Sequence, residues 1–130
     1  MYILDTNTLI YYFKGQGEVA QNLAQIPAKE IRIPTIVLFE IQVGIAKSNS
    51  PEKRTEQLQQ LCSYINLVSF DRQGAIAAAT IRAHLERQGT PIGALDVLIA
   101  GTAVALESTL VTHNVKEFSR VPRLKLVDWY

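Results

Sequence analysis

Along this chain, short runs rich in β-branched and apolar residues alternate with longer stretches whose apolar positions recur at helical spacing. Tyr2–Leu4, Ile31–Pro34, Asn66–Phe70, Ser108–Thr112 and Lys125–Trp129 read as five strands. Helices fill the intervals. One follows Asp5, carries Leu9, Ile10, Tyr12 and Phe13, and is stopped by Gly15 and Gly17. Others are expected over Val19–Ile26, over residues 35–47, after Ser50-Pro51-Glu52 with Leu58, Leu61 and Ile65 on one face, from Asp71 to Arg87, and over Ala94–Leu106. Ser50 and Asp71 are predicted caps, Pro51 suits a first helical position, and Gly89 with Pro91 closes the long helix. A short turn holds Glu117 and Phe118. This alternation predicts an α/β fold, with a mostly parallel sheet of about five strands flanked by helices. No repeat, low-complexity tract or linker divides residues 1–130, so a single domain is expected.

Three carboxylates break the pattern. Asp5 stands at the carboxyl end of the first strand, where open α/β sheets place ligands, although Asp there is also an ordinary helix cap. Glu40 lies within Ile36-Val37-Leu38-Phe39-Glu40-Ile41-Gln42-Val43, where nearly every helical face is apolar. An unpaired buried carboxylate costs several kcal/mol, unless the helix turns Glu40 and Gln42 to water. Asp96 repeats the anomaly within Ala94-Leu95-Asp96-Val97-Leu98-Ile99, with the helix dipole as its structural excuse. One cause serves all three: a divalent cation with hard oxygen ligands, Mg²⁺ or Mn²⁺. Such a cluster supports phosphodiester hydrolysis. Thr6, Asn7 and Thr112 are placed to orient the acids, because hydroxyls and amides beside metal-site carboxylates fix their direction. The two histidines, His84 and His113, are far apart in sequence and read as surface residues rather than a zinc pair.

Composition narrows the class without naming a partner. With 48% hydrophobic and 19% charged residues the chain is globular, not disordered. Its single cysteine, Cys62, excludes an internal disulfide and fits a reducing cytoplasm. No apolar run reads as a membrane span or a signal peptide. The net charge of +1 does not mark a nucleic-acid binder, so affinity for a polyanion must come from local basic residues or a bound cation.

Taken in order, several blocks resemble the PIN-domain family, and its VapC toxin branch in particular. They are Met1-Tyr2-Ile3-Leu4-Asp5-Thr6-Asn7, then Phe39-Glu40 with Gly44, then Gly89-Thr90-Pro91-Ile92-Gly93 leading to Asp96 and Ile99-Ala100. Leu110-Val111-Thr112-His113-Asn114, Glu117-Phe118, Val121-Pro122 and Asp128-Trp129 complete the likeness, which spans essentially the whole chain. The resemblance implies a three-layer PIN-like domain and an endoribonuclease using Mg²⁺ or Mn²⁺. It further implies action on RNA, often tRNA, restraint by a cognate VapB antitoxin, and a homodimer. By position, Asp5, Glu40 and Asp96 match the family's acidic ligands. Many members carry a further aspartate two residues after the threonine of the late strand. Here that position holds Asn114, which brings no charge, and Glu117 is the candidate substitute. Lys47, Arg82 and Arg87 are candidates for contacts with RNA phosphates, against the ordinary reading of solvated helix charges.

Two other classes stay in view. A receiver domain of two-component signalling has a similar layout, and Asp71 after the third strand would be its phosphoacceptor. A PIN scaffold that has lost catalysis and only binds a partner is the other, with Asn114 as the feature in its favour.

Overall fold

The computed structural model describes residues 1–130. Five strands form one parallel sheet: β1 (Tyr2–Leu4), β2 (Ile31–Pro34), β3 (Asn66–Val68), β4 (Thr109–Val111) and β5 (Lys125–Val127). Seven α-helices connect them: α1 (Thr6–Lys14), α2 (Val19–Ala24), α3 (Thr35–Ala46), α4 (Pro51–Cys62), α5 (Arg72–Arg87), α6 (Ala94–Ala105) and α7 (Val115–Phe118). A single 3₁₀ turn, Ala28–Glu30, precedes β2.

The strand order is β3-β2-β1-β4-β5. The chain therefore builds outward from β1 to β2 and β3, then crosses back to lay β4 on the other side of β1, with Leu4 beside Val111. Where the winding reverses, successive connections leave the sheet in opposite directions and a crevice opens beyond the strand ends. Asp5 follows β1 and Thr112-His113-Asn114 follows β4, so both lie at that reversal. The central strands are sealed: Ile3, Leu4, Ile33, Leu110 and Val111 have no exposed surface. Continuous apolar runs suit strands covered on both faces.

Helix boundaries follow local chemistry. Gly15, at φ 67°, supplies the left-handed residue that ends α1. Asp71 accepts a hydrogen bond from the Gly74 amide at 2.9 Å and caps α5 as expected. Ser50 does not cap α4 with its side chain; its own amide instead donates to Ser48 Oγ, and Pro51 alone opens the helix. The third and fifth strands end two residues earlier than expected, at Val68 and Val127.

α6 is the most deeply set helix. Ile99, Ala100 and Ala103 have no exposed surface, and Gly101 lies directly on α5. A Cβ on Gly101 would come within 2.6 Å of Ala78 Cβ and 2.7 Å of the Ala78 backbone nitrogen. The missing side chain therefore sets how closely α6, which carries Asp96, approaches α5. Gly101→Val is expected to lower stability by roughly 1–3 kcal/mol through overpacking. Denaturant titration checks this, and an unchanged midpoint would show that the two helices can part freely.

Candidate active site

Asp5 is only 4% exposed, although it is a carboxylate. Its extended backbone (φ −84°, ψ 173°) ends β1, and its Oδ1 accepts the Thr8 amide at 2.9 Å, capping α1. The cap accounts for one oxygen. Burial pushes the Asp5 carboxyl above its usual range; hydrogen bonds from Thr112 and Thr8 pull it down, and Glu40 pushes it up again. Thr8 also donates its hydroxyl to the Val111 carbonyl at 3.0 Å, tying α1 to β4. Thr8 is a site residue that the sequence pattern did not single out. Its signal was position: the third residue after a capping Asp presents its amide to that cap.

Glu40 lies on the side of α3 facing α1, and its Oε1 accepts the Thr6 hydroxyl at 2.6 Å. The helix is less enclosed than its apolar sequence suggested. Val37, Ile41 and Ile45 form the buried stripe, whereas Phe39 is 55% exposed and Gln42 also reaches solvent. Glu40 is half-buried at the border between the two faces.

Asp96 is the third residue of α6, whose N-terminus has no side-chain cap. Gly93 makes room for it, since a Cβ there would stand 3.0 Å from Asp96 Oδ2. The helix dipole favours an ionised acid at this position. The environment wins in the other direction. Burial first, then the charges of Glu40, Asp5 and Glu117, push the Asp96 carboxyl up to about 6. Asp96 therefore feels all three other acids.

Asn114 and Glu117 act together. Asn114 stands at the start of α7 and its Nδ2 donates to Glu117 Oε2 at 2.8 Å, while its backbone amide donates to Thr112 Oγ1 at 3.0 Å. The neutral residue thus orients a charged one. Thr112 is wholly buried between Asp5 and this turn. Asn7 is exposed and its side chain makes no hydrogen bond within the chain.

No three His, Cys, Asp or Glu side chains converge tightly enough in this structure to hold a metal ion between them. The acids are electrostatic neighbours, each turned to its own donor: Asp5 to Thr8, Glu40 to Thr6, Glu117 to Asn114. The donor set itself, four carboxylates with an amide and hydroxyls, has the chemistry of a hard-cation site and contains no soft ligand.

The remaining expected residues lie outside this cluster. Arg82 is exposed and pairs with Glu86 at 3.5 Å, Arg87 ends α5, and Lys47 follows α3 in solvent. Asp71 is spent on its cap beyond edge strand β3, with β2 between that strand and β1. The receiver reading lacks its acceptor there. His84 lies in the last turn of α5, and His113 pairs with Asp128 rather than with these acids.

The family model described as "PIN domain" matches residues 2–124. The chain belongs to the PIN-domain family. Within it the similarity is to VapC proteins. This PIN domain is 37% identical to "Ribonuclease VapC2" of Rickettsia felis, covering 99% of this chain and 98% of that one. It is 35% identical to "tRNA(fMet)-specific endonuclease VapC" of Salmonella typhimurium, over 98% of this chain and 97% of the other. Among solved structures, VapBC2 from Rickettsia felis bound to a promoter DNA fragment superposes on the PIN domain with a TM-score of 0.93 at 36% identity. It covers 99% of this chain and 98% of that one. DNA-bound VapBC from Salmonella typhimurium gives 0.93 at 34%, with the same coverage.

The raised acids fix a pH response in chelator. Asp96 binds its proton more tightly folded (about 6) than unfolded (3.8), and Asp5 shifts in the same direction. This contribution to stability is present below the unfolded value and is lost as pH rises through the folded one. The metal-free melting temperature should therefore fall between pH 5 and pH 7.5. Asp96→Asn should flatten that slope and melt higher than wild type at pH 7.5. Parallel profiles for the two proteins would contradict the geometry.

Proposed function

We propose that this chain is a Mg²⁺- or Mn²⁺-dependent endoribonuclease, the toxin of a VapBC toxin–antitoxin pair, with tRNA as its substrate class. The observation carrying this reading is the gathering of Asp5, Glu40, Asp96 and Glu117 at the sheet's winding reversal, where Asp96 is both buried and within electrostatic reach of the other three. Full-length similarity to proteins named ribonuclease and tRNA(fMet)-specific endonuclease supports the substrate.

Asp5, Glu40 and Asp96, with Glu117 as the fourth acid, would hold the cation. When bound, Mg²⁺ or Mn²⁺ supplies the charge that neutralises the acids and the Lewis acidity that phosphodiester hydrolysis needs. The chain's own residues hold the acids around one crevice, from which their side chains would have to turn toward one another to share the cation. Thr8 and Thr112 fix Asp5, Thr6 fixes Glu40, and Asn114 fixes Glu117. Without the cation the Asp96 carboxyl, pushed up to about 6, still carries part of its proton near neutral pH, and that proton would leave as the metal binds. In this reading Lys47, Arg82 and Arg87 meet RNA phosphates, and a second copy of the chain completes a homodimer.

The antitoxin reading rests on solved relatives that are themselves VapBC complexes. A groove bordered by Ile10, Phe13, Glu40, Ile41, Gly44 and Arg54 runs up to the acids, with the exposed apolar side chains of Phe39 and Val43 close by on α3. Such a groove suits an amphipathic helix. No helix of this chain is long and apolar enough to cross a membrane.

Asp5→Asn keeps an Asx cap for α1 and removes one charge, so the fold should survive. Cleavage of a tRNA panel by antitoxin-free protein should drop by roughly a hundredfold or more. If the variant cleaves like wild type, Asp5 is only a cap. If wild type cleaves no RNA in either metal, the binding-only scaffold becomes the better account, with Asn114 as its mark. Millimolar Mn²⁺ should also raise the wild-type melting temperature, since a ligand of the folded state stabilises it. That rise should shrink in Asp96→Asn. No shift in wild type would count against the cation site.

A further inference from the structure

We propose that Tyr130 and His113 form a stacking platform for an unpaired base of the RNA strand lying in the acidic site. This inference rests on the ribonuclease reading and adds to it the place where the strand is gripped. His113 follows Thr112 just past the carboxyl end of β4, the same end of the sheet at which Asp5 follows β1.

The two rings stack with centroids 4.2 Å apart and planes at 23°. Tyr11 of α1 braces both from the side, edge-on to Tyr130 at 4.8 Å and to His113 at 5.8 Å. Asp128 locks the pair: its Oδ2 lies 2.9 Å from His113 Nδ1, and its Oδ1 accepts the Tyr130 amide at 2.9 Å. The Glu18 amide donates to the Tyr130 carbonyl at 2.8 Å. Gly17 lets the chain pass there, because a Cβ would come within 2.5 Å of that same oxygen.

All of this fixes the rings without covering them. Tyr130 is 46% exposed and the His113 side chain 45%. Rings recruited only for packing would be expected to lie under their neighbours, as Trp129 does at 6% exposure. A pre-ordered aromatic pair open to solvent is what single-stranded RNA uses, since every base has a face to stack and the side chains lose little freedom. The histidine adds a polar handle. A carboxylate only accepts, so Nδ1 donates to Asp128, and Nε2 is left as the ring's polar atom for a ribose 2′-hydroxyl. Stacking tolerates any base, so the platform grips the strand and leaves sequence choice to other contacts.

The test measures binding of a short single-stranded RNA by fluorescence anisotropy, in the Asp5→Asn background so that the RNA survives. Tyr130→Leu and His113→Ala should each weaken binding by about tenfold, while Tyr130→Phe should not. An abasic site moved along the RNA should weaken binding at one position, and at that position Tyr130→Leu should add no further loss. Without any change at Tyr130, 2-aminopurine placed at that position should be quenched on binding, which keeps the test decisive if the leucine variant misfolds. Unaltered affinity in Tyr130→Leu, or no quenching at any position, overturns the platform. If wild type still cleaves RNA in that case, the ribonuclease reading stands alone. If wild type neither binds nor cleaves RNA, both readings fall.

Discussion

Carboxylates of like charge repel, and burial makes the repulsion worse by removing the water that would screen it. This fold nonetheless brings Asp5, Glu40 and Glu117 within electrostatic reach of Asp96, and burial first, then those charges, raise Asp96 to about 6. Such an arrangement persists only where the surrounding framework fixes the backbone from which the acids project. The framework here is the parallel sheet and its winding reversal. β1 and β4 lie side by side with fully buried apolar residues, so their carboxyl ends are fixed, and the residues just past each strand must face the crevice.

Several local devices serve both fold and site. Asp5 caps α1 with one oxygen and thereby orients the rest of its carboxylate. Thr8, whose amide meets that cap, also anchors α1 to β4 through Val111. Gly101 lets α6 seat against α5, which sets the depth of Asp96, and Gly93 clears space for that acid's side chain. Thr112 joins the Asp5 side of the crevice to the Asn114–Glu117 turn. Stability and chemistry are drawn from the same few hydrogen bonds, so only substitutions that keep those bonds, such as Asp5→Asn, separate the two.

Much of this was legible in the residue pattern. The strands were found because buried parallel strands are short apolar runs, and the caps at Asp5 and Asp71 because aspartate there has a definite partner. The acids announced themselves by standing in apolar company. What stayed hidden depends on three-dimensional rotation or on partners distant in sequence. The exposure of Phe39 beside the half-buried Glu40 follows from how α3 sits, and a uniformly apolar helix carries no periodic signal for that. The bond from Asn114 to Glu117 turns an apparent loss of charge into a displaced one. His113 looked like an isolated surface histidine because Asp128, Tyr130 and Tyr11 reach it only through the fold.

The central claim is that these acids come together around a divalent cation. Titration calorimetry with Mn²⁺ in buffers of different ionisation enthalpy tests it most directly, because it counts protons displaced as metal binds. Asp96, at about 6, is close to half-protonated at pH 6 and ionised by pH 8. The account predicts binding with proton release at pH 6, release that fades by pH 8, and its loss in Asp96→Asn. Absence of any binding at millimolar Mn²⁺, or binding with the same proton count in wild type and Asp96→Asn, would contradict it.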